Sequence, residues 1–393
     1  MKKSRVLVVY SGWLGDMIWL VPTIHALKTV FDSISLVVSE VQAPLARIMK
    51  NGLLDEVYVD DPSRRLASAK AVRQAARANA IDTFIDFKGR WKTGIYIPWG
   101  RDLDIRLPHR RDAREYALSR LVHPRAVSMP ARSEEGHMVD AYLSGLSGLV
   151  TQPVPVSFNL PFDAETMREG ERIAKEEGLR EKKSIALNLG SAQYSKIWPI
   201  ENVVRLSEIL EQDMGCKVVL MGARGFAPND DYDARMSREF FANSSVTNLI
   251  EKTTLAVDAY LLSCGALSVS VGNDSFAGHM AGSANEVRSD TAGAVQAANG
   301  RWYRANHTVA LFSSTNPLFC QPYDPTGTFS TIVLPGSYPD ECVYDHKAHT
   351  CPHYGDRYCV ERAHCMQHLT VDQVVEAIEA KLKATPSPSH RKS

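Results

Sequence analysis

Val6-Leu7-Val8-Val9-Tyr10-Ser11-Gly12-Trp13-Leu14-Gly15-Asp16 begins as a β-branched run, breaks at glycines and ends on an acid, ahead of a helix-length stretch from Pro22 to Val30. That reads as a strand feeding a crossover helix. The alternation continues. Ile34-Ser35-Leu36-Val37-Val38, Glu56-Val57-Tyr58-Val59 and Thr83-Phe84-Ile85-Asp86 are short apolar runs, with Leu45 to Met49 and the Ala-rich Arg64 to Asn79 between them. Helices that return the chain to the same sheet edge make the sheet mostly parallel. A second cycle starts at Ser184-Ile185-Ala186-Leu187 and runs through Val218-Val219-Leu220, Val246 to Ile250, Leu267 to Val271 and Val309-Ala310-Leu311-Phe312. The expected class is α/β, with two Rossmann-like halves.

A length of 393 residues accommodates two such halves. The join is placed in Thr151 to Asp163, which carries Pro153, Pro155 and Pro161 and little periodicity, before a charged helix from Ala164 to Glu177. This gives domains at 1–155 and 165–370, a C-terminal helix at 371–384 and a disordered tail at 385–393. Residues 285–305 read as an insertion between a helix and the next strand. Forty-five Lys plus Arg balance 45 Asp plus Glu, so no global field exists to hold nucleic acid. The N-terminal apolar run is too short for a signal peptide, and no segment has the apolar length of a membrane span. The expectation is a cytoplasmic protein whose membrane contact, if any, is peripheral at the inner face.

Three loops that follow strands carry candidate chemistry. Ligands of open α/β sheets bind beyond the carboxyl ends of the strands. In Ser11 to Asp16, Asp16 would point into that crevice, or simply cap a helix. Gly12 and Gly15 do not make Gly-x-Gly-x-x-Gly, which disfavours a dehydrogenase. In Gly190-Ser191-Ala192-Gln193-Tyr194-Ser195-Lys196-Ile197-Trp198-Pro199, Ser191, Ser195 and Lys196 offer hydroxyls and a cation to phosphate, and Pro199 starts a helix over Glu201 to Leu210. In Gly272-Asn273-Asp274-Ser275-Phe276-Ala277-Gly278-His279, Asp274 or Ser275 would cap a helix whose N–H groups face an anion, with His279 on the face of Ser275. Each loop alone is equally a plain turn; three at successive crevice-facing positions point to one site.

The order and spacing of these motifs resemble glycosyltransferase family 9, the bacterial ADP-heptose lipopolysaccharide heptosyltransferases, over most of the chain. The resemblance rests on Gly15-Asp16-Met17-Ile18 with Pro22 and Leu27-Lys28, on Ser195-Lys196 with Trp198-Pro199, and on Asn273-Asp274-Ser275 with His279. Val309 to Phe312 with Thr315, Pro317 and Pro322-Tyr323 follow, and Cys365-Met366 with Leu369-Thr370 and Val374 close it. It implies a GT-B architecture of two Rossmann-like domains facing a cleft, acceptor on the first and nucleotide sugar on the second. It further implies Asp16 as general base, Ser191 and Lys196 as diphosphate contacts, and Asp274, Ser275 and His279 as the donor site. The chain departs from the family at Phe276, where a glycine is usual. It departs again after Gly222, where Arg224 and Phe226 precede the nearest acids, Asp230 and Asp231.

The implied reaction is inverting transfer of heptose from ADP-heptose to a lipopolysaccharide core hydroxyl, with no cofactor needed for the chemistry. Transfer to a protein or another glycan, or non-catalytic glycan or nucleotide binding, are the alternatives. Lys88 and Arg90, with Arg110, Arg111 and Arg114, would suit an anionic acceptor, and equally a solvated loop. Cys342, Cys351, Cys359 and Cys365 fall within 24 positions, interleaved with His346, His349, His353 and His364. Their gaps lack paired C-x2-C knuckles, so packed thiols are preferred to a structural zinc or iron. Their place late in the chain sets them apart from the three loops.

Overall fold

The computed structural model describes residues 4–87, 95–97, 103–108, 126–129, 136–188, 190–191, 194–222, 245–283, 294–296, 302–304, 307–336 and 365–384. They fall in two compact units, Met1–Asp163 and Ala164–Ser393.

In the first unit β1 (Arg5–Val9), β2 (Ser33–Ser39), β3 (Glu56–Asp60), β4 (Thr83–Asp86), β5 (Asp104–Pro108) and β6 (Val127–Met129) form one parallel sheet, ordered β3-β2-β1-β4-β5-β6. Strands covered on both faces read as unbroken apolar runs, which is why the sequence betrays β1, β2 and β4. The helix Arg65–Ala78 buries Ala69, Val72 and Ala76, spaced three and four apart, against Leu7, Val37 and Phe84. Strands β5 and β6 are absent from the apolar pattern. In β5, Arg106 pairs with Asp104 at 3.2 Å and donates to the Ser147 carbonyl at 2.7 Å, so its charges are met by neighbours. The segment Thr151–Asp163 has no helix or strand but is anchored to this unit. Phe158 is buried, and the His25 ring meets the Asn159 carbonyl at 2.8 Å.

The second unit repeats the plan. β7 (Ser184–Asn188), β8 (Lys217–Leu220), β9 (Thr247–Asn248), β10 (Val269–Asn273), β13 (His307–Leu311) and β14 (Ser330–Val333) are parallel in the order β14-β13-β10-β7-β8-β9. Renumbered from β7, that is the strand order of the first unit. β9 is shorter than the expected Val246 to Ile250, because the Asn248 side chain accepts the Ile250 N–H at 3.0 Å and turns the chain. The helix after Pro199 spans Ile200–Glu208 and continues as a π-helical turn, Ile209–Asp213. Within 285–305, β11 (Ala294–Gln296) and β12 (Trp302–Arg304) pair antiparallel. The helix Val371–Ala384 places Val374, Ile378 and Leu382 in this unit's core. Fully buried Trp198 donates its indole N–H to the Leu369 carbonyl at 2.9 Å. The tail at 385–393 lies outside the described residues. Among the described residues no helix is long and apolar enough to cross a membrane.

Candidate active site

Both sheets reverse their strand order at one place, between β1 and β4 in the first unit and between β7 and β10 in the second. Connections on either side of such a point leave toward opposite faces and open a crevice at the carboxyl ends of the two strands. The expected site residues at 16, 191–196 and 274–279 follow β1, β7 and β10.

In the second unit the crevice is closely built. Gly272 of β10 pairs with Asn188 of β7, and a Cβ at 272 would stand 3.0 Å from the Asn188 carbonyl oxygen. A Cβ at Gly278, in the first turn of the helix Phe276–Ser283, would stand 2.9 Å from the Asn273 carbonyl oxygen. Glycines therefore close this turn at 272 and 278, on either side of partly buried Phe276.

Asp274 lies at its centre, 7% exposed. The Lys196 ammonium donates to Asp274 Oδ2 at 2.6 Å and to the Asp274 carbonyl at 3.1 Å. Thr315 Oγ1 donates to the same Oδ2 at 2.8 Å, and His279 Nε2 lies 3.0 Å from Oδ1. Burial by itself would push this carboxyl up, but the Lys196 charge and the His279 hydrogen bond outweigh it and hold it well below the usual carboxylate range. Asp274 is thus an ionised anchor for Lys196, Thr315 and His279, with the Cys320 thiol 3.8 Å from Oδ2, rather than a helix cap. Ser275 takes the position before the helix, its carbonyl accepting the His279 N–H at 3.1 Å. The Lys196 loop is clamped in turn. Ser313 Oγ donates to the Ser195 carbonyl at 2.7 Å, and Ser314 Oγ to Ser195 Oγ at 2.8 Å. A fixed ammonium, a buried hydroxyl relay and a helix N-terminus at one strand-end crevice are suited to a phosphate-bearing ligand.

Thr315, Ser313 and Ser314 carry no role in the sequence reading. The signal was present, since they fill the loop after β13, the strand beside β10. Ser191 is partly buried on the Lys196 loop. Cys365 is a correction: far from standing apart, its thiol is buried 4.0 Å from the Ser195 carbonyl, because the turn Cys365–His368 packs on the Tyr194–Lys196 turn. Sequence distance hid a contact across 170 residues. The other cysteines of the cluster, Cys342, Cys351 and Cys359, lie outside the described residues, as do its four histidines. Lys88, Arg90, Arg110, Arg111, Arg114, Arg224, Phe226, Asp230 and Asp231 lie outside them too. Among the described residues no group of three or more metal-binding side chains occurs.

In the first unit Asp16 sits in the first turn of the short helix Leu14–Ile18, whose N-cap is Trp13, with extended backbone and no side-chain cap hydrogen bond. Asp16 is therefore not the cap. It is partly buried; nearby, the Tyr10 hydroxyl lies 3.3 Å from that of Tyr142. Burial holds the Tyr10 phenol well above its ordinary value, and Tyr142 and the Asp16 carboxylate add to this. Tyr10 therefore stays protonated beside this loop.

The sequence model of glycosyltransferase family 9 (heptosyltransferase) matches residues 69–286. No curated protein matches the sequence. Among solved structures, a family 9 glycosyl transferase from Veillonella parvula is similar at 19% identity with a TM-score of 0.70, over 97% of this chain and 98% of that one. The ADP-heptose lipopolysaccharide heptosyltransferase II of E. coli is similar at 18% identity with a TM-score of 0.65, over 96% and 98%. The iron-containing dodecameric glycosyltransferase TibC of enterotoxigenic E. coli is 12% identical with a TM-score of 0.51, over 97% of this chain and 77% of that one. The shared fold is GT-B, two Rossmann-like units of parallel sheet and helices.

Proposed function

The chain belongs to glycosyltransferase family 9, the heptosyltransferase family, and from that premise we propose that it transfers heptose from ADP-heptose to a hydroxyl of a lipopolysaccharide core precursor, with inversion. One observation carries the donor side of this reading: the Lys196–Asp274–Thr315–His279 cluster at the β7/β10 crevice.

Asp274 fixes where the Lys196 ammonium stands. In the proposed reaction that ammonium, the hydroxyls of Ser191 and Ser275 and the start of the helix Phe276–Ser283 bind the donor diphosphate. Asp16 accepts the proton of the attacking hydroxyl. The acceptor oxygen bonds to the anomeric carbon as the bond from that carbon to the diphosphate oxygen breaks, and the electron pair leaves on the diphosphate. The cluster stabilises the charge that grows there. The enzyme would work at the cytoplasmic side of the inner membrane, where such a core is assembled, with peripheral contact at most.

The chemistry asks for no metal. TibC is described as iron-containing; in this chain Cys342, Cys351, Cys359 and Cys365 are the set that would hold a structural iron or zinc. Cys365, buried beside the Ser195 loop, suits a staple there and equally a packed thiol.

The test is a donor screen by mass spectrometry. The purified chain is offered ADP-, GDP- and UDP-sugars with a deacylated, heptose-deficient core oligosaccharide, and release of ADP with a product one heptose heavier is expected. Asp16→Asn should lower kcat by about 10²- to 10⁴-fold while ADP affinity holds. A variant turning over at the wild-type rate removes Asp16 from the base role.

A further inference from the structure

Trp13 breaks two local rules at once. N-cap positions favour Ser, Thr, Asp and Asn, whose side chains satisfy a helix N–H, and Trp13 makes no such bond. Its side chain is also 57% exposed, though an indole is among the largest apolar surfaces a protein can bury. Neither feature stabilises the fold. Local rules that are broken without a structural return belong to functional sites. The position fits that account: Trp13 is three residues before Asp16, and side chains so spaced at a helix start are neighbours on one face. Val41, on the turn Glu40–Gln42 against which the helix Leu14–Ile18 packs, is also exposed, at 56%. An exposed indole thus stands three residues before a carboxylate at the carboxyl end of β1, with a second exposed apolar residue on the turn that follows β2.

We propose that Trp13 is the platform on which a pyranose ring of the acceptor stacks, so that the ring's edge hydroxyl lies over Asp16. The inference rests on the heptosyltransferase reading and deepens it by naming the acceptor as a ring. A pyranose has one face made of C–H groups, which is apolar and complements the π-face of an indole, while its hydroxyls project at the rim. Stacking fixes the ring face; the carboxylate then meets the hydroxyl at the rim. A serine or threonine of a polypeptide has no such face, and an indole would do nothing for it.

The experiment uses the full chain, ADP-heptose and the deacylated, heptose-deficient core oligosaccharide, with Trp13→Ala and Trp13→Phe beside the wild type. An exposed residue is dispensable for folding, and thermal melts of the variants should overlay. Trp13→Ala should raise the core KM about tenfold or more, with kcat at saturating core and the KM for ADP-heptose each within about twofold. Trp13→Phe, which keeps a π-face, should recover most of the loss. Equilibrium titration of the core into each protein without donor should show the same order. An unchanged core KM and affinity in Trp13→Ala overturns the proposal. A fall in kcat at constant KM overturns it as well, since that places Trp13 in support of Asp16. A wild-type enzyme that transfers the heptose to a serine-bearing polypeptide, releasing ADP, but neither binds nor extends the core overturns the acceptor reading itself, and the ring platform with it.

Discussion

Replacing Asp274 by Asn keeps the shape of the side chain and removes one charge from a buried pair. The Lys196 ammonium, its side chain 12% exposed, loses the negative charge it meets at 2.6 Å and keeps the Asp274 carbonyl at 3.1 Å. Removing one partner of a buried ion pair costs about 3–5 kcal/mol, because the other charge stays desolvated. The low end, about 3 kcal/mol, is expected here since Lys196 retains that carbonyl and some contact with water. Lys196→Met should cost a similar amount by stranding the anion. Losing both charges together is less damaging, so the double variant should fall short of the sum by about 1–3 kcal/mol. Urea unfolding of the four proteins measures this. Singles that add to within about 0.5 kcal/mol would refute the coupling. The pH dependence has a definite sign. The Asp274 carboxyl is depressed in the folded state, with burial opposing and Lys196 and His279 prevailing. Its contribution is therefore complete above the unfolded value of about 3.9 and is lost only as pH falls through the folded value. The gap between wild type and Asp274→Asn should hold from pH 7 to pH 5 and close in stronger acid. Calorimetry connects the pair to function: Lys196→Met should bind ADP more weakly, and unchanged affinity would take Lys196 out of the donor site.

Asp258, buried in the first turn of the helix Leu255–Ser263, has a carboxyl pushed up to about 7 by burial, with a Thr253 hydrogen bond working against it. A folded value above the unfolded one is a penalty that is absent in acid, grows as pH rises past about 4 and is full above about 7. Asp258→Asn should therefore raise the urea midpoint at pH 8 more than at pH 5; equal shifts at both would show that ionisation is not the cause. A Cβ on Gly282 would run into Pro322 Cβ, so Gly282→Ala should cost about 1–3 kcal/mol by overpacking, read as a lower urea midpoint; an unchanged midpoint contradicts that contact. Elemental analysis separates the two readings of the cysteines: a metal site gives stoichiometric zinc or iron that is lost in Cys351→Ser, whereas packed thiols give none.

The strands at the switch points were legible because a parallel strand covered on both faces leaves an unbroken apolar run, as in Val6 to Val9 and Ser184 to Leu187. The three loops were legible for a related reason, since they follow such strands. What stayed hidden depends on partners distant in sequence. The alternating charges of β5 look like loop until Arg106 is seen on Asp104 and on the Ser147 carbonyl. Asp274 reads as a helix cap from its neighbours, yet its oxygens go to Lys196, 78 residues earlier, and to Thr315, 41 residues later. The pairing of Cys365 with the Ser195 carbonyl spans 170 residues, and no local pattern announces it.

The helix Val371–Ala384 supplies core side chains to the second unit and so sets an order for synthesis on the ribosome. The first unit is contiguous and emerges first, with every strand of its sheet in hand by Met129. The second cannot close its core around Trp198 until Val374, Ile378 and Leu382 have left the exit tunnel. At about 5–20 residues per second, that interval is on the order of 10 to 40 s, during which the strands from β7 onward are exposed without their last covering helix. A nascent chain at this stage is a natural client for holding chaperones. A premature stop ahead of residue 371 should yield an aggregating second half behind a folded first one, rather than a shortened enzyme.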